Sequence, residues 1–287
     1  MVNHTEHCYW SWHNCDTQII QNICCPRCFH HYPLNTLSKT CTWRESPWSK
    51  KCGKKLWTRR STQSGPKVVP CRLYTTQDFK SWLEFFFSRP GIEDLIDLSY
   101  QHCSSETMVM NDIWNSPAWH NMGLFTTTTG NLTFSFFIDW FNPFMSKTAG
   151  KTVLCGIIIM FCLNLPYHLC HKPQNTFFAG ITPPPHELLV TTITALLDPI
   201  INQLYCFHYG VTVCTHCYPE GVIKCIGVLP LIGDLPAVHK ALGFTGIASL
   251  CHFCSFCSLG RSDIESLDDD LWRPQIGLEM IAAAEEW

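Results

Sequence analysis

Nineteen cysteines punctuate this chain, and that number narrows what it can fold into. So many thiols mean a disulfide framework in an oxidising compartment, or reduced thiols and metal sites inside the cell. Met1–Thr17 has no basic stretch followed by an apolar core, so no signal peptide is expected. The cysteines are therefore read as reduced, some of them binding zinc. The densest pattern is Cys25-Pro26-Arg27-Cys28, then Cys41, then Cys52-Gly53. A CxxC knuckle holds two thiolates at a geometry that tetrahedral zinc accepts, and two later thiolates close the site. The later pair is separated by ten residues rather than two, and His30 or His31 could replace one thiolate. Reduced structural cysteines in a Trp-rich module are the competing reading. Cys8 and Cys15 fall outside the pattern.

The 287 residues are 46% hydrophobic and 15% charged. That excludes a disordered chain and supplies core for one large domain or two modest ones. A net charge of −3 runs against a nucleic-acid binder, which usually carries a positive excess. The charge is uneven, however. Lys39, Arg44, Lys50, Lys51, Lys54, Lys55, Arg59, Arg60, Lys67 and Arg72 face only Glu45, whereas residues 263–286 are acidic apart from Arg273. Phosphate contact would belong to the first half.

Residues 1–60 have little helical or strand periodicity, as expected of a small metal-stapled module. Ser61–Pro70 reads as a linker. Gln77–Asp97 has helical spacing at Phe79, Trp82, Leu83 and Phe86, interrupted at Pro90-Gly91. Ser104–Trp114 reads as a further short helix, and Asn115–Asn131 as loop. Leu132, Phe134, Phe136 and Ile138 alternate with other residues in a strand ending at Asp139, and Thr152–Leu163 reads as a second, buried strand. Ile181–Pro185 is a turn, Leu188–Leu204 a helix broken near Pro199, Val211–Val213 with Gly221–Leu229 a hairpin, and Ala237–Gly243 helical. The longest apolar run, Val153–Leu165, is too short to span a bilayer.

Three further motifs bear on chemistry. His252-Phe253-Cys254-Ser255-Phe256-Cys257 is a second CxxC, with Cys251 beside it; Cys214, His216 and Cys217 are candidate partners for a zinc site. A redox pair would need a thioredoxin-like βαβ context, which is not evident. Ala149-Gly150-Lys151-Thr152 resembles the end of a P-loop, but Met145 stands where the first Gly belongs, so ATP binding is rejected. Finally, Asp139 and Asp234 end apolar segments. Two such carboxylates on adjacent strands can hold Mg²⁺ for phosphoryl transfer; each can equally cap a turn or helix, Asp234 before Leu-Pro-Ala above all.

The wording of these segments resembles a known family. Phe137-Ile138-Asp139-Trp140-Phe141-Asn142-Pro143-Phe144 and the continuation to Thr152 are similar to the first catalytic block of CACTA-type (En/Spm-like) DNA transposases of mushroom-forming fungi. Cys162–Pro166, Lys172–Asn175, Ala179–Pro185, Gly233–Ala237 and His252–Cys257 resemble later blocks in the family's order, and Cys25–Cys28, Cys52-Gly53, Phe79–Leu83, Ser88–Gly91 and Asp112–Trp114 resemble earlier ones. The resemblance runs from about Cys25 to Trp272.

The resemblance implies an α/β chain whose core is an RNase H-like mixed sheet with flanking helices, preceded by a small Cys-rich zinc-ribbon-like module. The implied layout is the module over 1–60, a linker and helical segment over 61–130, a partial core over 131–250, and a Cys/His element with an acidic tail over 251–287. Asp139 and Asp234 would bind two Mg²⁺ or Mn²⁺ ions for cleavage and strand transfer at transposon ends. Cys25, Cys28, Cys41 and Cys52 would bind zinc, and Cys254 and Cys257 would belong to a further zinc element. The partner would be DNA in the nucleus, without membrane contact, for a chain compatible with homo-oligomers. Trp140 replaces a family Gly, Gly233 replaces a family Cys, and the family's third acid lies beyond the last residue. A truncated or inactive copy is therefore expected. The rival is a non-catalytic zinc-dependent DNA- or protein-binding fragment, and a Cys-rich structural protein stands behind it.

Overall fold

The computed structural model describes residues 17–102, 109–142, 155–182, 190–244, 249, 254, 256–266, 268, 270, 272–274, 276 and 277. Cys8, Cys15, the Gly150-Lys151-Thr152 segment, Cys251, His252, most of the Ile181–Pro185 turn and the end of the acidic tail lie outside them. The chain forms two compact units, Met1–Glu187 with Ala195–Ile232, and Leu188–Thr194 with Gly233–Trp287.

In the first unit, β1 (Ile19–Cys24) pairs antiparallel with β2 (His31–Pro33) on one side and β5 (Leu73–Gln77) on the other. Between them β3 (Trp57–Thr62) and β4 (Gly65–Pro70) form a separate antiparallel hairpin. The linker expected over Ser61–Pro70 is thus corrected. The hairpin escapes a periodicity reading because its two faces are both largely exposed, so no apolar alternation marks it. β1, β2 and β5 are equally hard to see, because strands of six, three and five residues are too short to establish a period.

Next, α1 (Phe79–Phe87) begins at Asp78, whose carboxylate accepts the Ser81 N–H at 2.8 Å. It ends before Pro90-Gly91, where Gly91 takes φ +80°, and α2 (Ile92–His102) resumes the helix. The expected break falls where the sequence placed it. Short helices α3 (Pro117–Asn121) and α4 (Leu124–Thr127) occupy the stretch expected to be loop. Ser116 caps α3 through the Trp119 N–H, with Pro117 in the first turn. A four- or five-residue helix is too short to display a period.

The main sheet has five strands. β6 (Asn131–Phe141) is central and pairs antiparallel with β7 (Cys155–Cys162), which is followed by the short helix α5 (Tyr167–Cys170) and pairs antiparallel with β8 (Thr176–Ile181). On the other side β10 (Val222–Ile232) runs parallel to β6 and antiparallel to the edge strand β9 (Val211–Val213). The expected hairpin is there, and β10 extends beyond it. The register between β6 and β10 shifts between Val228 and Leu231, where Pro230 has no N–H to give the ladder.

One face of β6 presents Leu132, Phe134, Phe136 and Ile138, all buried. Phe79 of α1 meets Phe134 at 5.5 Å and Phe177 of β8 at 4.8 Å between ring centroids. It also meets Phe207 at 5.2 Å; Phe207 lies on α6 (Val190–His208), whose residues from Ala195 belong to this unit. α6 continues through Pro199, contrary to the expected break, because Leu196, Leu197, Ile200, Leu204 and Phe207 are buried on both sides of it. That packing offsets the missing backbone donor, which costs about 3 kcal/mol in a helix interior. β5 is docked on the sheet by Tyr74, which donates to the Leu196 carbonyl at 3.4 Å and lies over Gly180, where an added Cβ would come within 2.6 Å of its hydroxyl.

In the second unit, α7 (Leu235–Leu242) is capped by Asp234 and terminated by Gly243 at φ +75°. Beyond it, Cys257 bridges to Pro274, and the Ser258 N–H donates to the Arg273 carbonyl at 3.0 Å. The chain is α/β with a mixed sheet and a cysteine cluster ahead of it. No described helix is long and apolar enough to cross a membrane.

Candidate metal centre

Cys25 and Cys28 sit in the turn joining β1 to β2. Pro26 fixes φ at its start, and the turn closes when the Phe29 N–H reaches the Cys25 carbonyl at 3.1 Å and the Cys25 N–H reaches the His30 carbonyl at 3.0 Å. Phe29 adopts φ +60° to reverse the chain. The Arg27 N–H points at Cys25 Sγ from 3.4 Å. Both sulfurs are thereby aimed to one side.

The other two thiols come from a second, irregular hairpin. The Cys41 N–H donates to the Lys54 carbonyl, the Gly53 N–H to the Cys41 carbonyl and the Cys52 N–H to the Trp43 carbonyl, at 2.7, 2.9 and 2.8 Å. Thr40 bridges to Lys55. Cys41 and Cys52 therefore face each other across a ladder, and the ten residues between them form its loop. Gly53, at φ +68°, is the left-handed step that lets the chain turn just after the fourth thiol.

The four sulfurs lie within 4.8 Å of one another. Cys25 Sγ is 3.8 Å from Cys52 Sγ, and Cys28 Sγ is 3.4 Å from Cys41 Sγ. Thiolates bound tetrahedrally at about 2.3 Å stand about 3.8 Å apart, whereas a disulfide needs about 2.05 Å. The spacing fits four ligands around one ion. Ile23, Tyr32 and Leu56 close the core behind the sulfurs, with Trp43 and Trp57 packed against it. The Tyr32 hydroxyl donates to Cys41 Sγ at 3.2 Å and accepts the Thr42 N–H at 2.8 Å. No sequence signal marks Tyr32; it becomes visible only once β2 is laid against the second hairpin.

Proton affinity within the cluster is uneven. The neighbouring Cys28 thiol, helped by the Cys28 and Arg27 N–H groups and opposed by burial, holds Cys25 below the usual thiol range. The same pairing, together with burial, raises Cys28, and burial raises Cys41. A thiolate metal site releases its protons when it takes up the ion.

The histidine alternatives do not enter the cluster. His31 stacks on Tyr74 at 4.8 Å, and His30 lies against Tyr32 and Trp43. Cys24, buried and pushed up to about 12 by burial, turns its sulfur to the Phe29 carbonyl instead.

The remaining candidates are placed as follows. Asp139 lies on β6 opposite Ile157 of β7, and its carboxylate accepts the Trp140 N–H at 2.8 Å. It shares the odd-numbered face of β6 with Ser135 and Phe137, opposite the aromatic core. Asp234 is exposed and accepts the Ala237 N–H at 2.7 Å as the N-cap of α7. The capping role weighed in the sequence is therefore real. Asp139 belongs to the first unit and Asp234 to the second. Cys254 is half-buried, accepting the Phe256 N–H at 3.4 Å, and Cys257 is buried. Cys214 and Cys217 are exposed, and the Cys217 N–H donates to the Glu93 carboxylate at 3.0 Å. Among the described residues, Cys25, Cys28, Cys41 and Cys52 are the one group of three or more potential ligands that converges.

Models of known protein families give no match to this chain, and a comparison with curated proteins likewise finds none.

Proposed function

We propose that this chain is a transposase-type, DNA-handling protein: a zinc-stapled module followed by an RNase H-like sheet of the kind that serves phosphoryl transfer in the family it resembles. One observation carries the reading. β6, which bears Asp139, pairs in parallel with β10, matching Phe137 to Ile232, and β10 leads within two residues to Asp234. Acids borne on or just after neighbouring strands of a mixed sheet are what the family resemblance requires.

In this reading Cys25, Cys28, Cys41 and Cys52 hold Zn²⁺. All-thiolate coordination favours it, because soft sulfur ligands in a closed tetrahedral set suit zinc and leave no open position for catalysis. Asp139 and Asp234 are the residues that would hold Mg²⁺ or Mn²⁺. Such ions would supply Lewis-acid stabilisation of the attacking and leaving oxygens. The protein's own share is one carboxylate on β6 and one at the N-cap of α7. Working on transposon ends, the protein would act in the nucleus, as a chain compatible with homo-oligomers.

A second reading, a zinc-dependent DNA-binding protein without catalysis, is favoured by Asp234 being engaged as a helix cap. The two readings separate in a cleavage assay on labelled transposon-end DNA with Mg²⁺ or Mn²⁺, comparing the chain with Asp139→Asn and Asp234→Asn. Asparagine caps a helix about as well as aspartate, so α7 survives while the charge is lost. Cleavage abolished in both variants supports the enzyme. No cleavage by an unaltered chain that retains zinc and binds the DNA leaves the binding reading.

A further inference from the structure

The β3–β4 hairpin is a poor structural element by the usual criteria. Its residues on both faces are exposed, and it joins neither larger sheet. Its cross-strand partners are Arg60 with Lys67 and Arg59 with Val68. Directly opposed residues of an antiparallel pair share a face, so Arg60 and Lys67 place two cations side by side. Like charges in that position destabilise a hairpin. Among the described residues no carboxylate forms an ion pair with Arg59, Arg60 or Lys67. Nothing within the described fold offsets the repulsion, and an external polyanion would.

The hairpin is also held rigidly at its base. Leu56 is fully buried in the cysteine-cluster core, Trp57 packs against that core, and the Trp57 indole N–H donates to the Ser38 carbonyl at 3.0 Å. The ladder that positions Cys41 and Cys52 runs straight into β3. It brings Lys39, Lys54 and Lys55, all exposed, to the foot of the ribbon.

We infer that the β3–β4 ribbon docks in the major groove of duplex DNA, with Arg60 and Lys67 on phosphates and the face of Arg59 and Val68 toward the bases. The inference rests on the DNA-handling reading and assigns the DNA-binding role to one element. Charge selects a polyanion, and dimensions select B-form DNA. Six-residue strands make a ribbon about 20 Å long with strands about 4.8 Å apart, and the major groove, about 12 Å wide, admits a two-stranded ribbon. The major groove of A-form RNA is too narrow for side chains to enter. Val68, 63% exposed, is an apolar side chain suited to thymine methyl groups.

The test is fluorescence anisotropy of the full, zinc-loaded chain with a labelled DNA duplex and an RNA duplex of the same sequence, over a range of salt. DNA should bind at least tenfold tighter than RNA. Arg60→Ala with Lys67→Ala should weaken DNA binding several-fold and lower the log–log salt slope by about 2, one for each phosphate that the variant no longer neutralises. Zinc content is measured in parallel, and Arg60→Gln with Lys67→Gln replaces the alanine pair should the latter lose metal. Unchanged affinity and slope in a zinc-replete double variant, or equal binding of RNA, overturns the ribbon while leaving the DNA-handling reading intact. An unaltered chain that binds no DNA overturns both.

Discussion

Two side chains around the cysteine cluster make opposite demands on the site. Tyr32 supports it. Its hydroxyl hydrogen bond to Cys41 Sγ offsets thiolate charge and fixes the sulfur's direction, and outer partners of this kind are typically worth about 10- to 100-fold in metal affinity. Tyr32→Phe should weaken zinc binding within that range, as read by competition with a chromophoric chelator, whereas Cys24→Ser should leave it unchanged because Cys24 points elsewhere. An equal loss in both would make Tyr32 mere packing. His31 acts through protons. Burial, with the neighbouring His30 charge, holds its imidazole down to about 4 from 6.5. Between those two values the unfolded chain binds a proton that the folded chain refuses, so stability is full above about pH 6.5 and falls as pH drops through the window. His31→Gln should flatten that limb in urea melts compared with the parent chain at equal zinc; parallel curves would refute it.

At the scale of the element, α1 is the hinge of the first unit's core. Phe79 contacts Phe134, Phe177 and Phe207, thereby tying together β6, β8 and α6. Phe79→Ala should cost about 3–5 kcal/mol by denaturant melting, since the surrounding rings come from three elements and cannot collapse together into the void. A cost under about 1 kcal/mol would mean that the aromatic cluster is loosely packed. Gly156 is a second pressure point. A Cβ there would come within 2.8 Å of Thr182 Oγ1, the acceptor of the Gly156 N–H, and 3.0 Å of the Trp140 indole nitrogen. Gly156→Ala should therefore destabilise the β6–β7 pairing near Asp139, seen as faster amide exchange at Trp140 and Phe141 than in the parent.

For the molecule as a whole, the first unit combines two kinds of stability. Its sheet is held by apolar burial, whereas the module from β1 to β4 has a small core organised around four sulfurs. Removing metal should accordingly act unevenly. With a strong chelator, hydrogen exchange should rise across residues 23–70, including the β3–β4 hairpin anchored by Leu56 and Trp57, while β6 and β7 stay protected. Uniform loss of protection would mean that the module and the sheet unfold as one cooperative body.

The long signals are legible in the sequence alone. The alternation of Leu132, Phe134, Phe136 and Ile138, the helical spacing of Phe79, Trp82, Leu83 and Phe86, the break at Pro90-Gly91 and the β9–β10 hairpin all follow from periodicity and local steric rules. The four candidate ligands can also be named from residue chemistry, because only a few side chains bind a soft cation. What stays hidden is whatever depends on contacts between distant segments. The β3–β4 hairpin has no buried face to imprint a period, β8 and β5 are strands because of their neighbours, and α6 passes Pro199 because both of its flanks are packed. The ten-residue gap between Cys41 and Cys52 becomes an ordinary cross-strand pair only when the chain doubles back. Local sequence decides which residues can ligate, cap or pair, but the distance between two sulfurs or the strand beside Asp139 is set by burial shared across the chain, and that emerges only when the whole fold is assembled.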